Sequence, residues 1–371
     1  MLLVKRTIAI RLLPASCQSD ALAALQATFA RACNTAAALA FEHRTVNRVR
    51  LHHLAYYGIR KRFPELGAQL ACNAMAAVSQ ILKAHRANGR DWKPVRFRRD
   101  ASVHLDARTY RLDGDRVSVF TMSGRERIAI RVGAFQRSHM ERGTVKEAEL
   151  VVRRGRWYLH VALDLREVAP LRGCAVLGVD LGENVTAATS GGRLYGGGKL
   201  RETRDRFLAL RRRLQGNGSQ SARQLLTRVS GPELRHVRHV NHEISSAVVR
   251  EAVELDCGTI AMENLTNIRG RIKAGKRMRT RLHRWAWRQL QQFVAYKAQA
   301  VGIAVIYVDP AYTSQTCASC GNLGKRSKHR FSCSVCGIFA HSDRNAACNL
   351  AKIGATAVAA TGAVIRPHVA A

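Results

Sequence analysis

The chain alternates between two hydrophobic periods, and the change from one to the other divides it. Residues 4–12 alternate apolar and polar and predict a strand that Pro14 ends. The stretch ALAALQATFARACNTAAALAFEHR then places apolar residues three and four apart, which predicts a long amphipathic helix capped by Asp20. Helical pattern continues to about residue 87, with a break near Pro64. From WKPVRFRRD onward the period returns to two. VHLDARTYRLDGDRVSVF predicts a hairpin around Asp113-Gly114, RERIAIRVG a further strand, and AELVVRRGRWYLHVALDL a second hairpin turning at Arg154-Gly155. The first part of the chain is therefore expected to be a small β-barrel with a helical insert after its first strand.

A second unit starts near Cys174. CAVLGVDLG, GTIAMENL and IAVIYVD are short, nearly continuous apolar runs, as in strands covered on both faces. TAATSGG and RLYGGG predict a hairpin with a glycine-rich end. Helices are expected over about 200–215, 232–255, 281–301 and 343–353, and the small-residue stretch that follows is read as a loose tail. The run Gly196–Gly198 is read as loop, because it lacks the strand–loop–helix setting of a phosphate cradle. No internal repeat is present.

Charge narrows the partners. Lys and Arg number 61 against 26 Asp and Glu, a formal net charge of +35, and such an excess repels itself unless a polyanion shares the surface. Nucleic acid is the expected partner. No apolar run approaches the roughly 20 residues needed to span a membrane, and Lys5, Arg6 and Arg11 interrupt the amino-terminal stretch, so no membrane partner and a cytoplasmic location are expected. In that setting ten cysteines are not a disulfide framework.

Four of those cysteines are clustered as Cys317-x2-Cys320 and Cys333-x2-Cys336, with Gly321 and Gly337 after each pair. Two such knuckles can set four thiolates tetrahedrally around one structural zinc. His341 lies close by and is read as solvated rather than as a fifth ligand. Three carboxylates stand out next. Asp180 and Glu263 end two apolar strands, where a charge loses solvation unless something compensates. Asp343 opens the last helix. Each has an ordinary reading as a turn residue, a helix start or a cap. Converging from two strands and a helix, the three could hold two magnesium ions about 4 Å apart and hydrolyse a phosphodiester. Weaker constellations are His236, His239 and His242, whose spacing of three drifts around a helix. Trp285 and Trp287 are read as core more than as base-stacking groups. The basic run Arg269 to Arg284, with Gly270 and Gly275, is read by itself as a solvated segment.

With LGVDLG, IAMENL, VDPAYTSQTCASCG, FSCSVCG and AHSDRNAACNLA on the page, the chain resembles the TnpB family, the OrfB-type transposases of insertion sequences, whose members resemble the ancestors of the type V CRISPR nucleases. The likeness is close from about 174 to 354 and rests on arrangement before that. Two departures are Cys348, where the family more often has Arg, and Cys72, where similar helices often carry Gln. The resemblance implies a RuvC-like (RNase H-like) α/β nuclease core whose catalytic and magnesium-binding acids are Asp180, Glu263 and Asp343. It implies a β-barrel wedge domain over 1–18 and 88–172, a helical recognition insert over 19–87, the nuclease domain over 173–310 and 341–356, a zinc ribbon over 311–340 and a flexible tail over 357–371. It also implies a guide RNA made from the transposon end, a double-stranded DNA target cut beside a short motif, and a monomer with its RNA. Only the resemblance implies a mobile lid at the basic run Arg269 to Arg284. An RNA-guided repressor with a dead nuclease, a compact type V CRISPR nuclease and a DNA transposase are the alternatives. The complete acid set favours the nuclease over the repressor, and nothing here resembles a tyrosine recombinase.

Overall fold

The structure, a computed structural model, describes residues 3–166, 168–171, 173–265, 287–309 and 313–361. These fall into two compact units, Met1–Arg166 and Glu167–Ala371. Trp285 and the basic run from Arg269 to Arg284 lie outside the described residues. Among the described residues, no helix is long and apolar enough to cross a membrane.

The first unit is a seven-stranded antiparallel sheet with a helical insert. Its strands are β1 (Leu3–Leu13), β2 (Val103–Leu105), β3 (Tyr110–Asp113), β4 (Arg116–Thr121), β5 (Gly124–Arg131), β6 (Gly143–Arg153) and β7 (Arg156–Arg166), in the spatial order β2-β6-β7-β1-β5-β4-β3. Period-two patterning shows directly in β7, where Trp157, Leu159, Val161 and Leu163 are buried and the residues between them are not. That buried face packs on α1 (Ser16–Glu42) and α3 (Gly67–Ala87) through Leu22, Leu25, Phe29, Leu70 and Met75, and α2 (Arg48–Arg62) packs on those two helices. A 3₁₀ turn over Pro64–Leu66 makes the expected break. The β6–β7 hairpin turns at Arg154-Gly155, both at positive φ (54° and 70°), as a two-residue type I′ turn requires. Among the described residues, β2 and β3 form the two edges of this sheet.

Three expectations shift here. Helix α1 begins at Ser16 with Ala15 as its cap, so Asp20 lies inside the helix. The Gln18 side chain reaches back to accept the Ala15 N–H, at 3.1 Å, which lets the helix start directly after Pro14. The tighter hairpin turns at Gly114-Asp115, with Asp113 opposite Arg116, and residues 103–105 pair with β6 instead of joining that hairpin. Helix α4 (Ala134–Arg142) was not read from the sequence; it buries no residue and therefore has no apolar period.

The second unit is built on a five-stranded mixed sheet ordered β10-β9-β8-β11-β12. Its strands are β8 (Ala175–Asp180), β9 (Val185–Thr189), β10 (Leu194–Gly196), β11 (Cys257–Glu263) and β12 (Ala304–Val308). β8, β9 and β10 are antiparallel neighbours, whereas β8, β11 and β12 run parallel. Parallel strands need long crossovers, and one is supplied by α5 (Gly198–Asn217) and α6 (Gln220–Glu254). Helix α6 starts twelve residues before the expected 232. Ser219 caps it, accepting the Ala222 N–H at 3.2 Å, and the helix passes through Pro232. The glycine run is a direct junction, since β10 ends at Gly196 and α5 begins at Gly198.

Strand parity separates two faces. Leu177, Val179, Ile260 and Met262 pack on α6 and on α7 (Trp287–Gln299). Val176, Ala261, Ile306 and Val308, at the alternate positions, pack on α8 (Ser342–Thr361). Trp287 is buried in the first of these cores, as expected. Helix α8 runs eight residues past the expected end at 353. The alanine-rich sequence favours helix, and Ala357 and Val358 pack on the second core, so the tail starts later than 357. Between β12 and α8 lies a three-stranded antiparallel sheet, β13 (Lys325–Ser327), β14 (Arg330–Ser332) and β15 (Phe339–His341), beside the cysteine pairs.

Candidate nuclease and zinc centres

The parity that sends Gly178 toward α8 sends Asp180 the same way two residues later, and the same holds for Ala261 and Glu263. β8 and β11 are parallel, with Val179 beside Met262, so both carboxylates arrive at the same end of the sheet. Helix α8 approaches that end closely because residue 178 is glycine. A Cβ there would stand 1.9 Å from the Ala347 carbonyl oxygen and 2.5 Å from the Ala351 nitrogen. Asp343 is one turn before Ala347 and is therefore delivered to the two strand-end acids.

Asp180 links the other two side chains. Asp180 and Glu263 share a hydrogen bond, and the Asp343 charge acts on Asp180. Burial, followed by the negative charge of Asp343, raises Asp180 to about 6. Burial, followed by the charge of Asp180, raises Glu263 to about 8. At neutral pH Glu263 thus keeps its proton and donates to Asp180. Asp343 is buried and takes two donors on Oδ1, Ser342 Oγ at 3.1 Å and Arg326 Nη2 at 3.1 Å. Arg326, carried on β13, also lowers both raised carboxylates. Sequence reading missed this residue.

A carboxyl group held above its ordinary range has a consequence for stability. Between the ordinary glutamate value of 4.5 and the folded value of about 8, the folded chain binds a proton that the unfolded chain has released. That contribution is complete at low pH and is lost as pH rises through about 8. Glu263→Gln escapes the loss. In magnesium-free buffer its melting midpoint should match the wild type near pH 4 and exceed it increasingly toward pH 9. Equal midpoints at pH 9 would mean that the Glu263 charge is not confined.

The four cysteine sulfurs lie within 4.8 Å of one another, with Cys317 and Cys336 at 3.6 Å and Cys320 and Cys333 at 3.5 Å. A tetrahedral zinc with bonds of about 2.3 Å separates its sulfurs by about 3.8 Å, so the donor set fits the ion in chemistry and in size. Hydrogen bonds from the Asn322 backbone and side chain lower the Cys320 thiol to about 6, which favours the thiolate a metal needs. Gly321 and Gly337, each just past its knuckle, take φ of 79° and 70°. All four positions are protein ligands, so the site is structural. Fresh, unchelated protein should contain about one zinc per chain, and Cys333→Ser should lower its yield as folded protein. Elemental analysis finding no zinc would count against the site.

His341 is half-buried and does not group with the four sulfurs. It stacks on His329 with ring centroids 5.4 Å apart, and its Nδ1 accepts the Asp343 N–H at 3.3 Å. His329, His341 and Asp343 also bring ligand atoms within 4.8 Å of one another. That Nδ1 contact and the Arg326 guanidinium on Asp343 make the trio a poor cation site. His236, His239 and His242 do not converge on a metal among the described residues. His242 instead stacks on Phe293 of α7, with centroids 3.9 Å apart, and His239 pairs with Glu243 at 3.4 Å.

Comparison with known proteins follows this geometry. The family model of the Cas12f1-like TNB domain matches residues 287–350. The CRISPR-associated endodeoxyribonuclease Cas12f1 of Sulfoacidibacillus thermotolerans is 34% identical over 220 residues, 54% of this chain and 50% of that protein. A TnpB-like protein of Methanocaldococcus jannaschii is 35% identical over 159 residues, 42% of this chain and 57% of that one. The putative RNA-guided DNA endonuclease InsQ of Escherichia coli K12 is 26% identical over 250 residues, 62% of each. The matches thus span about half to three-fifths of these relatives' lengths. Among solved structures, a Cas12f1 bound to single-guide RNA and target DNA superposes with a TM-score of 0.65 at 14% identity, covering 91% of this chain and 83% of that one, which shows a shared fold. The likeness to the TnpB family read from the motifs is borne out by these relatives.

Proposed function

We propose that this chain, a relative of the TnpB-like and Cas12f proteins, is an RNA-guided DNA endonuclease with an RNase H-like (RuvC) core. One observation carries the reading: at one end of the β8–β11 pair Asp180 is hydrogen-bonded to Glu263 and lies in the field of Asp343, with Arg326 on Asp343. A cation would have to draw this arrangement closer, since the three carboxylates do not lie within 4.8 Å of one another. Two raised carboxyls side by side are relieved here by a shared proton, which a bound cation could replace. Magnesium bound there would activate water and neutralise charge at the scissile phosphate. The acids are the groups that would hold it. Glu263 would give up its proton to solvent on binding the cation, and Asp180 from the neighbouring strand and Asp343 from the helix would supply the other carboxylates. Arg326 is placed to neutralise either Asp343 or a phosphate oxygen.

The excess of positive charge supports the partners. At +35, the chain needs a polyanion beyond the one strand it cuts, and a guide RNA together with target DNA meets that need. In such a system base pairing reads the target, and the protein grips backbone and shape. The wedge, recognition-insert, nuclease and ribbon assignments of the sequence reading are retained as part of this proposal.

The test is to purify the protein at moderate salt, sequence the RNA that accompanies it, and supply that RNA with a matching DNA target and magnesium. One discrete structured RNA and guided cutting are expected. Random cellular fragments, bound with steep salt dependence, would remove the guided mechanism. A discrete RNA with guided binding but no cutting would move the reading to the repressor.

A further inference from the structure

Helix α8 carries a polar stripe that the nuclease reading leaves unused. Asn345, Asn349 and Lys352 follow one another at four and three residues, so they share one face of the helix. Both asparagines are buried, at 4% and 7% exposure. Buried amides are usually satisfied, and these are satisfied in a particular way. Asn345 accepts the Ala318 N–H at 2.9 Å and donates to the Thr316 carbonyl at 2.7 Å. Asn349 donates to the carbonyls of Thr313 and Thr316, at 2.8 and 2.7 Å. Lys352 donates to the Ala318 carbonyl. Every one of these partners is main chain of residues 313–318, the segment that delivers Cys317.

The other half of the ribbon touches the same helix one turn earlier. The Ser342 N–H donates to the His329 carbonyl at 2.9 Å, the single Ser342 hydroxyl proton is shared between Asp343 and the Lys328 carbonyl, 3.2 Å from Oγ, and Arg326 holds Asp343. The four cysteines join these two halves, since Cys317 lies against Cys336 and Cys320 against Cys333. One helix face therefore seats the first knuckle at Asn345 and Asn349 and presents Asp343 to the acid centre two residues before that seat.

We propose that Asn345 and Asn349 are positioning residues that register the zinc knuckle against α8, so that order at the zinc site and placement of Asp343 are linked. The part concerning magnesium rests on the nuclease reading above. Linkage between two binding sites is reciprocal: whatever factor zinc contributes to magnesium binding, magnesium contributes to zinc retention. Residues of this outer kind, when replaced, commonly cost about 10–100-fold in metal affinity.

The experiment uses the full chain with its RNA, loaded with zinc, in wild type, Asn345→Ala, Asn349→Ala and Asn345→Asp forms. Asn345→Asp keeps the acceptor for Ala318 and replaces the donor to Thr316 by an acidic oxygen facing that carbonyl, so it tests the donor at unchanged side-chain size if an alanine variant fails to fold. Two quantities are read: the rate at which a metallochromic chelator draws zinc, with and without magnesium, and the magnesium concentration that half-saturates cutting. In wild type, magnesium should slow zinc release. The alanine variants should release zinc about 10-fold faster or more, lose the magnesium effect on release, and need about 10-fold more magnesium to cut while approaching wild-type rates at saturation. Asn345→Asp should fall between. Folded variants with wild-type zinc release, or with fast release and unchanged magnesium dependence, overturn the proposal. The zinc-release arm needs no cutting. Magnesium-sensitive release in a protein that does not cut would sink the nuclease reading and leave the asparagine clamp standing.

Discussion

Asp180→Ala, Glu263→Ala and Asp343→Ala should each lower magnesium-dependent DNA cutting by at least about 10³-fold, the loss of several kcal/mol of charge stabilisation. The double and triple variants should fall little further, because the carboxylates act as one cation-holding unit and their effects are far from additive. Binding should behave differently. Guide RNA and target are gripped by Lys, Arg and base pairing, which these substitutions leave in place, so affinity should stay within a few-fold of wild type. A slight gain is expected for Asp180→Ala, since a carboxylate near phosphate is removed. Cleavage and binding measured on one guide–target pair decide the matter. Robust cutting by any single variant would sink the assignment, and parallel loss of binding would point to misfolding.

Much of that centre was legible in the sequence because its parts come in a particular order. A carboxylate ending a strand as apolar as AVLGVD or GTIAME has an ordinary reading when taken alone, and it was the order Asp180, Glu263, cysteine pairs, Asp343 that marked the set, with strand parity fixing which face the first two meet. The cysteine spacing was legible for a similar reason, because four thiolates in two close pairs suit one ion. Arg326 was not legible. One arginine among 61 basic residues carries no local mark, and its importance comes only from a hairpin that folds back on Asp343. Asn345 and Asn349 were hidden differently. Their partners are main-chain atoms about thirty residues earlier, and side-chain periodicity says nothing about main-chain targets.

The element boundaries that moved share a physical cause. The start of α1 was expected at Asp20, a common cap, and that of α6 at about 232, but earlier groups satisfied the first turn: Gln18 on the Ala15 N–H, and Ser219 Oγ accepting the Ala222 N–H. Helix α8 outran its expected end because packing of Ala357 and Val358 on the sheet overrode a composition that reads as a tail. Local signals propose where a helix can start or stop, and tertiary contacts choose among the candidates.

Gly178→Ala should be the most damaging conservative change in the second unit. The added methyl would meet the Ala347 carbonyl oxygen at 1.9 Å and the Ala351 nitrogen at 2.5 Å. Both are backbone atoms of α8, so no rotamer change can relieve the clash. The helix must lift off β8, or the strand must bow. Overpacking of this kind costs about 1–3 kcal/mol, and more where the neighbour is rigid. For a unit of this size that corresponds to a melting shift of about 2–12 °C. Activity should fall further than stability does. Lifting α8 withdraws Asp343 from Asp180 and Glu263, and a displacement of about 1 Å at a reacting centre can cost about 100-fold in rate. The variant should therefore stay folded at low temperature, bind guide RNA normally, retain its zinc and cut at least about 100-fold more slowly. Melting curves and single-turnover cleavage, both taken well below the midpoint, separate the two effects. A variant that melts with the wild type and cuts at its rate would mean that α8 does not rest on β8 at this glycine, and the route by which Asp343 reaches the other two acids would have to be sought elsewhere.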